Sequence, residues 1–211
     1  MTEEQGPVDA VADRAVAPTR AGAAGSALLR VDRLVAGYAR PVVGPVSFSV
    51  EPGQILGVGG PNGAGKSTIL RSLTGLARIF SGSIERIPGL RLCHQWQRPE
   101  SPPELALLGA ELFALLGADP ATAPEVVRPL LSRPLYRLSG GQFQMLHTLA
   151  CWCSPAQLVL MDEPTNNLDG RALEALSGLL QRMDASRAVL LVSHEHAFLE
   201  RHCTQLVEVG S

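Results

Sequence analysis

The sequence predicts an α/β domain with a largely parallel sheet, and three observations carry that expectation. From Leu28 onward, short apolar runs alternate with helical patterns. Two of the runs, Leu158–Met161 and Ala188–Val192, are almost wholly apolar, as strands buried on both faces of a sheet must be. A glycine-rich loop lies between a strand pattern ending at Val58 and a helical pattern starting at Lys66.

Taken in order, residues 1–27 are rich in Ala, Gly, Pro, Thr and Arg without an apolar period, and read as a disordered N-terminal tail. Glu3, Glu4, Asp9 and Asp13 argue against an organellar transit peptide, and no basic-then-apolar signal pattern opens the chain. Strands are expected at Leu28–Val35, Val46–Val50, Gln54–Val58, Leu90–Cys93, Leu158–Met161, Ala188–Val192 and Gln205–Val209. Helices are expected at Lys66–Leu76, Pro103–Leu116, Glu125–Leu131, Gly140–Cys153, Arg171–Met183 and His196–His202. No strand is expected between Arg98 and Leu138, so residues of about 98–150 read as a helical subdomain inserted in a core running from 28 to 211.

Composition narrows the partners. With 18 basic and 20 acidic side chains, a formal net charge of -2 and scattered arginines, the chain offers no electrostatic platform for nucleic acid. The longest apolar stretch, Leu105–Ala118, is 14 residues broken by Glu111, against the ~20 that a membrane span needs. A soluble chain is expected, with any membrane role exercised through a partner. Cys93, Cys151, Cys153 and Cys203 sit in apolar contexts and read as buried free thiols; Cys-x-Cys at 151–153 lacks the spacing of structural zinc sites even with His147 nearby.

The run Gly60-Pro61-Asn62-Gly63-Ala64-Gly65-Lys66-Ser67, followed by Thr68, has the phosphate-loop pattern in its required strand–loop–helix setting. Glycines at 60, 63 and 65 let the backbone curl so that N–H groups face phosphate oxygens, and the helix begun by Lys66 adds a partial positive end. Lys66 suits the outer phosphates, and the Ser67 hydroxyl is a hard ligand for Mg²⁺. The apolar run ending at Met161 leads into Asp162-Glu163. Neighbouring strand residues point to opposite faces, so the two acids can divide the work: Asp162 on the Mg²⁺ shell, Glu163 polarising an attacking water. Alone, such a pair is usually a solvated loop start. His194 follows Val192 closely enough to reach a terminal phosphate as a sensor, although a lone histidine there is more often a surface residue.

Leu138-Ser139-Gly140-Gly141-Gln142 reads first as a helix capping box, Ser139 paired with Gln142. The same helix start also presents two glycine N–H groups and a hydroxyl to an anion. With this segment the chain resembles the nucleotide-binding domains of ABC ATPases over residues 28 to 210. The ordered series is Tyr38, Gly60–Ser67, Gln95, Leu138–Gln142, Asp162-Glu163, Asn167-Leu168-Asp169 and His194.

The resemblance implies a P-loop NTPase core with a mainly parallel sheet, a small antiparallel β part and a helical subdomain. It implies ATP and Mg²⁺, with Tyr38 stacked on adenine and Gln95, beside Ser67 and Asp162, at the metal and the reaction centre. It implies a head-to-tail pair in which each ATP lies between one copy's phosphate loop and the other's Ser139–Gln142, with Asp169 crossing between the sites; Asp169 is equally good as a helix-start acid. It further implies membrane permease partners, a solute-binding protein in the full system, and a place on the cytoplasmic side of the membrane. Cys93-His94-Gln95-Trp96-Gln97 departs from the family's usual wording, leaving Gln97 as the alternative coupling glutamine, and Trp96–Pro99 falls where a permease helix would dock.

Three functions follow. The first is the energising subunit of a transporter; the compact Gly82–Gln95 segment resembles metal-ion importers of the zinc and manganese type. The second is a ribosome-associated ATPase of the ABC-F type, suggested by Asn166-Asn167-Leu168-Asp169 and by Ser193-His194-Glu195-His196, but lacking a second phosphate loop and a basic linker in this sequence. The third is a scaffold without turnover, which would be expected to lack Lys66, Glu163 or His194.

Overall fold

The computed structural model describes residues 27–96 and 107–210. The tail expected at 1–27 falls outside them except for its last residue, as do Gln97 and the start of the helix expected at Pro103.

Two sheets organise the domain. β1 (Leu29–Gly37), β2 (Pro41–Val50) and β4 (Arg78–Arg86) form an antiparallel sheet in the order β2-β1-β4. β3 (Ile55–Gly59), β5 (Leu92–Gln95), β6 (Leu158–Asp162), β7 (Ala188–Val192) and β8 (Gln205–Glu208) form a five-stranded sheet in the order β5-β6-β7-β3-β8, every pair parallel.

Strand periodicity explains how one sheet serves two cores. Leu56 and Val58 of β3, Leu158 and Leu160 of β6, and Leu190 and Val192 of β7 face a cluster shared with β1, β2 and α1 (Lys66–Leu73). Their alternates Ile55, Val159, Met161, Val189 and Leu191 face a second cluster with α4 (Gly170–Gln181) and α5 (His196–His202). Both faces are covered, so the strands read as unbroken apolar runs.

A third cluster joins α2 (Gly109–Leu115), two 3-10 turns (Glu125–Leu130, Leu135–Arg137) and α3 (Gly140–Cys153) around Phe113, Val127, Leu146 and Leu149, with the 3-10 turn Pro120–Thr122 at its edge.

Several expected boundaries change. β4 was not expected: its nine residues are all exposed or half-buried, so no apolar stripe marks it. The helix expected at Glu125–Leu131 is of the 3-10 form, because Pro129 inside it brings no N–H for an α-helical ladder. The first helix stops at Leu73, three residues short of expectation, where Thr74 and Gly75 (φ 77°) turn the chain away. Among the described residues, no helix is long and apolar enough to cross a membrane.

Candidate nucleotide site

The site forms at the C-terminal edge of the parallel strands, where loops leaving β3, β6 and β7 converge. Gly60, Gly63 and Gly65 take φ of 136°, 84° and 91°, a region costly for any residue with a Cβ. At Gly65 a side chain would also collide with Val43. Gly65 is the N-cap of α1 and supplies no side-chain cap, and the first turn contains no acid. The leading N–H groups of this helix are therefore left for an anion.

A cleft of about 490 Å³ opens above that helix start. From the residues expected for binding and catalysis it gathers Asn62, Gly63, Gly65, Lys66, Ser67, Thr68, Glu163 and His194. Val42 and Asn166 also line it; nothing in its sequence context marks Val42, and Asn166 stands out only as part of the Asn166-Asn167-Leu168-Asp169 segment, not as a binding residue.

Lys66 is buried, its Nζ donating to the carbonyls of Gly60 (2.7 Å) and Pro61 (3.0 Å). Ser67 Oγ donates to Asp162 Oδ1 at 2.9 Å. Asp162 is only 1% exposed. Burial drives its pKa up to about 6, the Ser67 hydrogen bond opposes that rise, and the neighbouring Glu163 adds to it. A desolvated carboxylate beside a hydroxyl is a hard-oxygen pair suited to a divalent cation, so the residues present fit Mg²⁺.

Glu163 is buried and holds a left-handed backbone, φ 51°. Its Oε2 accepts from the His194 main-chain N–H at 3.3 Å and lies 2.8 Å from His194 Nδ1. With the carboxylate accepting, the ring proton sits on Nδ1, and Nε2 is the remaining polar atom of the ring.

Other expected residues lie elsewhere. Gln95 is fully buried at the end of β5: its Oε1 accepts from Asp162 N (3.1 Å), and its Nε2 donates to Trp96 O (2.6 Å). It braces Asp162 through the main chain and does not line the cleft. Direct ligation would require its amide to leave these partners. Tyr38 follows β1 with its ring partly exposed and its hydroxyl accepting from Arg71 Nη1 at 2.8 Å.

Ser139 and Gln142 form the reciprocal capping box of α3: Ser139 Oγ accepts from Gln142 N (3.2 Å), and Gln142 Oε1 from Ser139 N (3.1 Å). Asp169 caps α4 by accepting from Ala172 N at 2.9 Å. Neither Ser139–Gln142 nor Asp169 lines the cleft of its own chain. All four cysteines are free thiols, and among the described residues no group of three or more His, Cys, Asp or Glu is placed to hold a metal.

A family model described as ABC transporter matches residues 43–166, the stretch from β2 through the phosphate loop and α3 to the acids after β6. The chain belongs to the ABC transporter family. This ABC protein is 37% identical over 175 residues to "Zinc import ATP-binding protein ZnuC" of Paracoccus denitrificans, covering 79% of this chain and 69% of that one. It is 38% identical over 164 residues to the protein of that name from Yersinia enterocolitica, covering 74% and 65%. Among solved structures it resembles "Structure of ATP binding subunit of ABC transporter", with a TM-score of 0.72 and 28% identity, covering 86% of this chain and 85% of that one. The protein is thus an ATP-binding, ATP-hydrolysing subunit of an ABC transporter, with the P-loop NTPase fold that its two sheets display.

Proposed function

We propose that this subunit drives the import of a metal ion, zinc being the cargo its relatives' names indicate, by closing and opening as a head-to-tail pair beneath a separate membrane permease. The observation that carries the pairing is the absence of α3's N-terminus from the cleft of its own chain. Gly140 has open space around its Cα, and Ser139 and Gly140 are exposed, yet the residues gripping phosphate stand elsewhere. A helix start that is capped but not covered is a second anion surface. A second copy is the partner that would bring it over the cleft.

Within each cleft, Lys66 and the free N–H groups of α1 would bind the triphosphate. Ser67 and Asp162 would hold Mg²⁺, which neutralises phosphate charge during transfer. Glu163 would orient the attacking water, with His194 fixing one of its oxygens. Tyr38 would offer its exposed ring face to adenine. Asp169 would lie at the seam between copies. Docking to a permease would place the subunit peripherally on the cytoplasmic side of the membrane, and a solute-binding protein would deliver the cargo. The ribosome-associated alternative draws no support from relatives named for zinc import.

The Ser139→Arg variant tests the pairing. Turnover should fall by at least a hundredfold while ATP affinity of the monomer stays within about twofold, because the lesion lies in the partner's half of the site. Loss of monomer affinity would place Ser139 in its own chain's site and contradict the reading.

A further inference from the structure

The loop after β6 carries Glu163 and the loop after β7 carries His194. Water activation as proposed above requires those side chains to keep one spacing. The first loop is conformationally unusual: Glu163 and Asn167 both take positive φ, 51° and 61°.

Contacts between the loops come in three tiers. Nearest the sheet, Glu163 N donates to Val192 O at 2.9 Å and extends the β6–β7 ladder by one rung. Next, His194 meets Glu163 Oε2 through its main-chain N–H and its ring, at 3.3 and 2.8 Å. Outermost, Thr165 Oγ1 donates to Glu195 Oε1 at 2.7 Å. Thr165 is only 7% exposed, so its hydroxyl needs this acceptor, and the carboxylate makes the bond charge-assisted. Glu195 N in turn donates to Ser193 Oγ at 3.0 Å, folding the second loop about His194. The bonds close a ring from Glu163 to His194, along the chain to Glu195, across to Thr165 and back through Pro164. Among the described residues no hydrogen bond reaches Glu163 Oε1, the oxygen left for water.

We propose that Thr165 and Glu195 are positioning residues for hydrolysis, their hydrogen bond clasping the loop of Glu163 to the loop of His194 so that the water-activating carboxylate keeps its orientation. This rests on the assignment of Glu163 to water activation.

Steady-state ATP hydrolysis by the full chain tests the clasp. Thr165→Val and Glu195→Ala should each lower kcat roughly tenfold with KM for ATP within about twofold, since binding groups are untouched. The double variant should be no slower than either single one, because both break the same bond. Thr165→Ser keeps the donor and Glu195→Gln keeps an acceptor oxygen, so both should retain at least half of the wild-type kcat. Unchanged kcat in Glu195→Ala, multiplied losses in the double variant, or equal losses in the conservative variants would overturn the clasp. Glu195 is exposed, so the Glu195→Ala and Glu195→Gln comparison decides the matter even if Thr165→Val does not fold. Glu163→Gln runs alongside. If it abolishes turnover while the clasp variants do not, only the clasp fails; if it retains turnover, the underlying assignment fails.

Discussion

Asp162 and Ser67 are the pair that would hold the proposed cation. Their 2.9 Å contact spans β6 and α1, so one hydroxyl joins the glycine-rich loop's helix to Asp162. Removing it with Ser67→Ala should raise the Mg²⁺ concentration for half-maximal hydrolysis at least tenfold; a titration of activity against Mg²⁺ reads this directly. Away from the chemistry, His94 and His147 are buried with ring nitrogens lacking hydrogen-bond partners among the described residues, both Nδ1 and Nε2 for His94 and Nδ1 for His147. Burial holds both pKa values down to about 4, and their mutual repulsion adds to the effect at His94. A depressed folded-state pKa stabilises above the unfolded value of 6.5 and loses that contribution as pH falls through 4. Each histidine should therefore cost about 2 kcal/mol of stability by pH 5. Asp162 acts in the opposite sense: its raised pKa stabilises most below 3.8 and that contribution is lost as pH rises through 6, so at pH 5 it offsets about 1 kcal/mol. Urea unfolding in EDTA at pH 7.5 and pH 5 should show a net loss in wild type, and His147→Gln should remove roughly half of the histidine part. An equal pH dependence in both proteins would mean that His147 is not buried neutral.

At the scale of the element, the two-faced sheet makes a quantitative demand. Leu160 lies fully buried in the middle of β6, whereas Leu206 on β8 is 38% exposed. Leu160→Ala should cost about 2–5 kcal/mol through lost burial and the cavity left behind, and Leu206→Ala under about 1.5 kcal/mol. Urea midpoints of the two variants check the contrast. The same burial explains what could be read from the chain alone. β6 and β7 announce themselves as apolar runs because both their faces are covered, and the loops they feed carry the acids and the histidine. β4 is invisible because, apart from its ladder to β1, it sits on the surface: Ile79 is exposed, Phe80 and Ile84 are only half-buried, and Ser81, Gly82 and Ser83 separate them. The helix expected at Glu125–Leu131 takes the 3-10 form at Glu125–Leu130: apolar spacing suits either form, and Pro129 decides between them. At the site, glycine spacing and strand ends revealed the loop, Ser67, Asp162 and Glu163. Val42 enters the cleft only because β2 folds over α1, a contact between distant residues that leaves no local mark. Gln95 is recognisable by its place after a strand, but its engagement with the Asp162 main chain depends on β5 pairing with β6.

For the whole molecule, the parallel sheet gathers the phosphate loop, the acids and His194 at one edge, while the helical insert displays α3's capped N-terminus away from them. On the proposed reading the chain would carry both halves of an ATP site, since Ser139–Gln142 does not line the cleft of its own chain. Under that proposal ATP would draw two copies together and hydrolysis would release them, the stroke a permease would use. The most direct test is a structure of the Glu163→Gln variant with ATP and Mg²⁺ bound. The account predicts a head-to-tail pair in which each triphosphate touches Lys66 of one copy and Ser139 of the other. A loaded site completed within a single copy would contradict it.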